Sequence, residues 1–151
     1  MSVSVRTLLN EKVSTKIFFI SKEATIFEAI KTMVTEDIGA LIVVDNNVLV
    51  GIVSERDCSR KGQLEGRDPH LTTVGEIMVT DVVIVTPTET INDCMAKMKK
   101  NNIRHLPVLE GKKVVGLLSM KDVVYDLLTE QQHKINILEQ RRSAKGYGAD
   151  L

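Results

Sequence analysis

Two short segments of the chain carry residue types that could bind a small polar ligand. Each has a glycine, two aliphatic residues, a serine, two variable residues and an aspartate, at 51–57 and again at 116–122. An aspartate can accept two hydrogen bonds from a ribose diol, and a helix N-terminus offers N–H groups and positive potential to a phosphate. The simpler interpretation is a capping box, with the serine capping a helix and the aspartate bonding back. One copy alone favours the cap, although capping and ligand binding can coexist.

Two further features favour a ligand site at both segments. A glycine, Gly51 or Gly116, ends the preceding strand in each copy, where a ligand could approach the backbone closely. A basic residue, Arg56 or Lys121, precedes the aspartate in each copy. We therefore treat both segments as candidate binding sites.

The elements that position these segments form an internal repeat. Residues 20–57 align with residues 85–122 at a constant offset, without a gap. Two copies are too few for a solenoid, so we expect a pseudo-twofold pair that shares one core. The ten identical pairs are Thr25/Thr90, Ile26/Ile91, Met33/Met98, Ile38/Ile103, Leu41/Leu106, Val43/Val108, Val50/Val115, Gly51/Gly116, Ser54/Ser119 and Asp57/Asp122.

Each repeat is predicted to run β-α-β-β-α. The first helix has apolar residues at i, i+3, i+4, i+7 and i+8 from Ile26, and Cys94 takes the place of Ala29 in the second copy, which predicts a core position. The last helix of each repeat is predicted to begin at Ser54 or Ser119. The predicted strands are 17–20, 41–44 and 48–53 in the first copy, and 82–85, 106–109 and 113–118 in the second.

Composition argues against several classes of function. The chain has 20 basic and 20 acidic residues, no tryptophan, two tyrosines and three phenylalanines, so it lacks both the charge and the rings of a nucleic-acid binder. No signal peptide or run of 18 apolar residues is present, so we expect no membrane partner and a cytoplasmic location. The two cysteines and three histidines show no metal-ligand or catalytic pattern, so neither a metal site nor an enzyme is expected.

The repeat, its order of elements and its two motifs resemble the cystathionine-β-synthase (CBS) domain pair, or Bateman module. The resemblance covers roughly 5–129 and is closest to stand-alone CBS-pair proteins, with which 40–44, 51–57 and 103–108 are similar almost residue for residue. It implies an α/β (α+β) fold in which two pseudo-twofold CBS repeats pack as one module, with an extended C-terminal helix. The expected divisions are repeat 1 at 5–62, a linker at 63–72, repeat 2 at 73–129, and a helix extension and tail at 130–151.

The resemblance also implies one adenine-nucleotide cleft for each repeat. Residues at the start of each first strand, Thr15–Ile17 and Thr80–Val82, would frame the adenine, although the aliphatic residues there could equally be simple core. The implied ribose-binding residues are Ser54, Asp57, Ser119 and Asp122. The implied cleft residues are Lys16, Ile17, Gly39, Ala40, Ile52, Asp81, Val82 and Leu117, and the implied phosphate partners are Arg56, Arg104, His105 and Lys121.

The implied phosphate partners are distributed unequally between the repeats. Repeat 2 has Arg104 and His105 where repeat 1 has Gly39 and Ala40. Because side chains can cross between pseudo-symmetric clefts, the sequence leaves open which cleft gains the extra charge. A histidine in an apolar setting is more often structural, but His105 could also titrate near neutrality, and ligand affinity would then fall as the pH rises from about 6 to 8.

The expected function is a regulatory sensor that binds AMP, ADP, ATP or an NAD-type ligand, without a catalytic cofactor, and acts on an unidentified regulated protein. The alternative is a scaffold that dimerises without a ligand, but the intact serine and aspartate in both repeats favour retained binding. We expect a homodimer. The last helix is predicted to run to about Arg142, with Ile135, Ile137 and Leu138 packing on a partner subunit or lying on a frayed surface helix, followed by a poorly ordered tail at 143–151.

Overall fold

The computed structural model describes residues 3–12 and 16–147, with side chains described as far as Lys145. The chain has a mixed α/β fold built from two similar halves, as the repeat predicts. A π-helical segment, Cys58–Gln63, continues α3. The other elements in chain order are α1 (Val5–Glu11), β1 (Phe19–Ser21), α2 (Ile26–Glu36), β2 (Ala40–Asp45), β3 (Val48–Ser54), α3 (Glu55–Asp57), α4 (Val74–Ile77), α5 (Ile91–Asn101), β4 (His105–Glu110), β5 (Lys113–Ser119) and α6 (Met120–Tyr147).

Each half contains an antiparallel hairpin whose register positions the motif. In the first half β1 lies parallel to β2, and β2 pairs with β3 so that Ala40 is opposite Ser54. In the second half β4 pairs with β5 so that His105 is opposite Ser119. The residues just before β2 and β4 therefore lie beside the two motif serines.

The first strand of each repeat differs from the prediction of 17–20 and 82–85. In the first half the strand is Phe19–Ser21. Just before it, the Phe18 carbonyl accepts a hydrogen bond from the Ile42 N–H at 3.3 Å. In the second half only Val85 pairs with β4, as a single parallel bridge to Val108. Pro107 stands where the first copy has Ile42, and a proline has no N–H to extend the ladder. The aligned pair Ile42/Pro107 is the signal in the sequence that could have indicated this difference in pairing.

Each of the two hydrophobic cores contains the short helix that belongs to the other repeat. Val5 and Leu8 of α1 are buried in the core of the second half, with α5, β4 and β5. Val74 and Ile77 of α4 are buried in the core of the first half. The chain therefore begins by packing on repeat 2 and crosses back to repeat 1 at α4. This exchange joins the two repeats into one module.

The paired helices α2 and α5 bury equivalent faces against their sheets. Each begins with a threonine capping box, at Thr25 and Thr90, and each ends at a residue in the left-handed conformation, Asp37 or Asn102. Cys94 is fully buried, as its alignment with Ala29 predicts.

The last helix is longer than the sequence predicts. It runs to Tyr147 and not to about Arg142, so 143–147 belong to the helix and not to a poorly ordered tail. No proline interrupts the segment, and a single glycine, Gly146, is tolerated at roughly 1 kcal/mol relative to alanine. Residues 148–151 lie outside the described residues. Beyond Thr129 the helix is mostly exposed, and Ile135 and Leu138 keep 45% and 63% of their surface accessible.

Candidate functional site

The serine and aspartate of each motif form a helix cap, as the simpler interpretation predicts. The Ser54 N–H and hydroxyl both donate to Oδ2 of Asp57 at 2.9 Å, and the Asp57 N–H donates to the Ser54 hydroxyl at 3.1 Å. In the second motif the Ser119 N–H donates to Oδ2 of Asp122 at 2.9 Å, and the Asp122 N–H donates to the Ser119 hydroxyl at 3.1 Å. In each box the cap uses Oδ2, and the aspartate has a second oxygen for another partner.

Each cap also lines an open cleft between the two halves. The cleft beside the first motif, called cleft A, has a volume of about 510 Å³ and is walled by residues of both repeats. Its lining residues are Gly39, Ile52, Ser54, Glu55, Arg56, Asp57, Arg60 and Lys61 from the first repeat, and Val79, Asp81, Val82, Val83, Asn102, Ile103, Arg104 and His105 from the second.

The cleft beside the second motif, called cleft B, is larger, at about 880 Å³. Besides aliphatic residues it has two rings, Phe18 and Tyr125, so an adenine there would meet aromatic side chains that the sequence analysis did not assign to a cleft. The lining residues are Leu8, Glu11, Lys12, Lys16, Phe18, Glu36, Asp37, Ile38, Gly39 and Ala40, followed by His105, Leu117, Ser119, Lys121, Asp122, Tyr125, Asp126 and Thr129.

The predicted site residues divide between the two clefts with one exception. Cleft A contains Ser54, Asp57, Ile52, Asp81, Val82, Arg56 and Arg104, cleft B contains Ser119, Asp122, Leu117, Ala40, Lys16 and Lys121, and Gly39 and His105 line both. Ile17 lines a separate hollow of about 190 Å³ with Arg6, Pro87 and Glu110. Thr15 lies outside the described residues.

Arg104 crosses to the motif of the other repeat. It lines cleft A together with Arg56, Arg60 and Lys61, so the extra charge joins the first motif. The sequence left open which cleft would gain Arg104, and the structure places it in the cleft of the first motif. Arg56 also spans the cleft, because its Nη1 donates to the Asn102 carbonyl at 3.4 Å. Arg60 and Lys61 follow Asp57 by three and four residues, a helical spacing that could have indicated them.

The two clefts differ in the balance of their charges. Cleft A has four basic side chains against the acids Glu55, Asp57 and Asp81. Cleft B has three lysines, namely Lys12, Lys16 and Lys121, against five acids, namely Glu11, Glu36, Asp37, Asp122 and Asp126. Burial raises the pKa of Asp126, and the neighbouring Glu11 and Glu130 carboxylates raise it further. An anionic ligand therefore meets more favourable potential in cleft A.

His105 forms the wall between the clefts and is neutral near pH 7. A Cβ on Gly39 would lie 3.1 Å from the His105 Nε2, so the absence of a side chain there makes room for the ring. Burial lowers the pKa of His105 below its ordinary value, and the positive charges of Arg104 and Lys12 lower it further against the opposing effect of Asp122 and Asp57. The lowered pKa moves the titration of His105 below its ordinary range, away from the interval of pH 6 to 8 that the sequence analysis considered.

Packing obstructs a side chain at both motif glycines. A Cβ on Gly51 would lie 2.6 Å from Met78 Sδ and 2.9 Å from the Val79 carbonyl oxygen. A Cβ on Gly116 would lie 2.6 Å from Leu9 Cδ2. The segment that follows α4 therefore packs against β3 at Gly51, and the end of α1 packs against β5 at Gly116. That a ligand approaches the backbone at these glycines stays a prediction.

Several features that would support other chemistry are absent from the described residues. Within 3–12 and 16–147, no group of three or more histidine, cysteine or acidic side chains could hold a metal ion. Burial raises the pKa of the Cys58 and Cys94 thiols to about 11, so both are poor nucleophiles at neutral pH. None of the described helices is both long and apolar enough to cross a membrane.

Comparison with known proteins identifies the family. The sequence model of the CBS domain matches residues 5–62 and 74–129, which together make up most of the chain. This chain belongs to the CBS domain family. The two matched segments carry one motif each, so the chain contains a CBS pair. CBS pairs are commonly regulatory and ligand-binding rather than catalytic.

Individual relatives support the same assignment. A mitochondrial CBS domain-containing protein of Arabidopsis thaliana is 36% identical over 119 residues, which are 76% of this chain and 58% of that protein, so this chain spans less than two thirds of its length. A CBS-domain protein structure from Burkholderia ambifaria is 40% identical, with a TM-score of 0.83 over 85% of this chain and 96% of that chain.

One similar structure contains ligands. The CBS domain pair of protein MJ0100, in complex with 5′-methylthioadenosine and S-adenosyl-L-methionine, is 25% identical, with a TM-score of 0.76 over 86% of this chain and 99% of that one. Both of its ligands contain adenosine. The cytoplasmic location stays a prediction for this chain, since the Arabidopsis relative is mitochondrial.

Proposed function

We propose that this CBS pair is a regulatory sensor that binds adenine nucleotides in clefts A and B. The observation that carries the proposal is the duplicated cap, in which a serine and an aspartate lie at the edge of an open cleft in both halves. In each cleft the aspartate would accept hydrogen bonds from the ribose diol. The adenosyl ligands of the MJ0100 pair support adenosine as the shared part of the ligand.

Cleft A would be the site that reads phosphate. Arg56, Arg60, Lys61 and Arg104 surround it, and charge-assisted bonds to phosphate are roughly twice as strong as neutral ones. AMP, ADP, ATP and NAD all offer such a phosphate. The acids of cleft B disfavour a second anionic group there, so AMP, ATP and NAD should bind cleft A more tightly than cleft B.

Ligand binding would signal through the contact between the halves. Both clefts are walled by residues from both repeats, so a bound nucleotide bridges two cores that otherwise meet at α1, α4 and the cleft walls. A ligand that binds one arrangement of the halves more tightly shifts the population toward it. A regulated protein could then recognise that arrangement without any reaction taking place on this chain.

The test begins with the ligand that the protein retains. Mass spectrometry of small molecules released from purified protein should detect adenine-containing compounds. Calorimetry with AMP, ATP and NAD should then give micromolar or tighter binding at cleft A. If no adenine compound is released and none of the three binds at millimolar concentration, the proposal is wrong.

A scaffold function is the second candidate, and the exposed apolar residues of α6 favour it. Leu128, Ile135 and Leu138 are 64%, 45% and 63% exposed and lie near one side of the helix. Such a surface suits packing against a second copy of the chain in a homodimer. A dimer whose stability does not change with any nucleotide would favour the scaffold over the sensor.

A further inference from the structure

Lys12 forms an ion pair with the aspartate of cleft B. Its Nζ lies 3.1 Å from Oδ2 of Asp122 and donates to the Leu117 carbonyl at 2.9 Å. Both side chains of the pair are 24% exposed, so the ion pair is more sheltered than most of the others in the described chain. Lys12 directly follows α1, which packs in the core of the second half.

The main-chain position in the first half that corresponds to Leu117 is Ile52, and its hydrogen-bond partner is different. There the N–H and carbonyl of Ile52 both bond to the main chain of Val79, at 3.0 and 2.9 Å. In the second half the carbonyl of Leu117, the partner of Ile52 in the repeat, receives the ammonium of Lys12 instead. A mobile side chain has therefore replaced a main-chain partner, and it brings a positive charge to the motif aspartate.

The ion pair at the aspartate of cleft A is longer. Lys61 Nζ lies 3.5 Å from Oδ1 of Asp57, four residues away on the same helical segment, and it also donates to the Ile77 carbonyl at 3.2 Å. The Lys61 side chain is 42% exposed against 24% for Lys12, so the Lys61 ammonium is better solvated and easier to exchange for a ligand. The two clefts therefore present their aspartates in different states.

We propose that Lys12 is a built-in competitor for the ribose in cleft B, so that cleft B binds its ligand more weakly than its residues would otherwise allow. The proposal rests on the ribose-binding role assigned to Asp122 above. Lys12 contacts Oδ2 of Asp122, the oxygen that the cap also uses, so a ribose diol that takes Oδ1 must share the carboxylate with the ammonium, and one that needs both oxygens must displace it. The fraction of molecules in which Lys12 has left Asp122 then sets the apparent affinity. Cleft A fills first as the ligand concentration rises, and cleft B responds at higher concentration.

The expected size of the effect follows from the two contacts that Lys12 makes. A partly exposed ion pair together with one hydrogen bond to a carbonyl should reduce the apparent affinity by about three- to tenfold. Adenosine is the right probe, because it has no phosphate that could attract the lysine directly. With AMP the freed ammonium can turn toward the phosphate, so the effect of removing it should be smaller.

The test compares lysine variants with cleft A disabled by Asp57→Ala. In that background Lys12→Met should raise the affinity for adenosine about three- to tenfold in calorimetry. Lys12→Gln keeps a donor for the Leu117 carbonyl while removing the charge, and it should give a similar rise if Lys12→Met unfolds. Lys112→Met removes an exposed lysine at the opposite end of the β4–β5 hairpin, and it should change the affinity less than twofold.

The possible outcomes separate this inference from the proposed function. A fall in adenosine affinity in Lys12→Met and Lys12→Gln would mean that Lys12 contacts the ligand, and an unchanged affinity would mean that it does not compete. Either result overturns the inference. The inference is also overturned if cleft B binds no adenosine in either the presence or the absence of Lys12. Adenosine binding at cleft A, measured in Asp122→Ala, tests the proposed function independently, because Lys12 does not line that cleft.

Discussion

Replacing Arg104 with alanine should separate recognition of phosphate from recognition of the nucleoside. Arg104 lines cleft A beside the first motif although it belongs to the second repeat. Its side chain is exposed, while its backbone carbonyl accepts the N–H of Met120 at 2.7 Å. Arg104→Ala therefore removes the guanidinium and leaves the main-chain contact that holds the start of α6.

The magnitude follows from one charge-assisted contact at an open site. Hydrogen bonds to charged groups contribute about 1.5–3 kcal/mol, and solvent screening at an exposed arginine favours the lower end. About 1.5 kcal/mol corresponds to roughly a tenfold loss of affinity for AMP. Adenosine has no phosphate, so its affinity should change by less than about threefold.

The assay is calorimetry in an Asp122→Ala background, which leaves cleft A as the nucleotide site. AMP and adenosine are titrated into the parent and into Arg104→Ala, with Arg141→Ala on the exposed part of α6 as the control. Arg104→Lys should recover part of the lost affinity, since it keeps the charge but not the paired donors of the guanidinium. The loss for AMP should shrink at high salt.

Equal losses for the two ligands would refute this reasoning. Arg104 would then shape the cleft without contacting phosphate. An unchanged affinity for AMP would place the phosphate elsewhere, with Arg56 and Arg60 as the next candidates.

Four further predictions test other parts of the account. Asp57→Asn and Asp122→Asn keep an acceptor for the cap, so each should weaken one nucleotide site in calorimetry with little change in melting temperature. The alanine variants should also lose about 1 kcal/mol of stability. Loss of both sites in one single variant would contradict two separate clefts. Gly51→Ala should lower the free energy of unfolding by about 1–3 kcal/mol and Gly116→Ala by less. The reason is that a Cβ at Gly51 meets the Val79 carbonyl, whereas a Cβ at Gly116 meets only the end of the Leu9 side chain. Denaturant titrations that give the reverse order would contradict that packing. Because the folded-state pKa of His105 is lowered, the unfolded chain takes up its proton at higher pH than the folded chain, and stability should fall as the pH drops below about 6.5. The difference in melting temperature between pH 7.5 and pH 5.5 should be smaller in His105→Gln. An identical difference would show that His105 does not cause the loss of stability. Sedimentation at micromolar concentration should give twice the chain mass, and a monomer or a larger assembly would contradict the homodimer.

The sequence predicted the features that depend on local pattern. The aligned repeat predicted the two halves, the serine caps and the buried position of Cys94, because capping and amphipathic spacing are local properties. The threonine caps of α2 and α5 follow from the same local rule but were not predicted. The family resemblance added the clefts. The strand register places the motif serines and aspartates at the edges of the clefts, and their role in binding a ligand stays a prediction.

The features that depend on how the two halves meet could not be predicted in this way. The cleft that receives Arg104 is decided by the crossing of one repeat over the other, and the alignment of the repeats contains no information about that crossing. The exchange of α1 and α4 is equally invisible, although it explains why a side chain is obstructed at Gly51 and, less severely, at Gly116. Lys12 was missed because it lies outside the aligned region, where the repeat offers no counterpart.

The most direct test of the central claim is a titration of AMP into the double variant Asp57→Asn/Asp122→Asn, beside the unmodified protein. The account predicts that the unmodified protein binds AMP, that the double variant loses at least tenfold in affinity, and that both unfold at similar temperatures because the caps are kept. Unchanged affinity in a folded double variant would contradict the claim that these two capped aspartates hold the nucleotide.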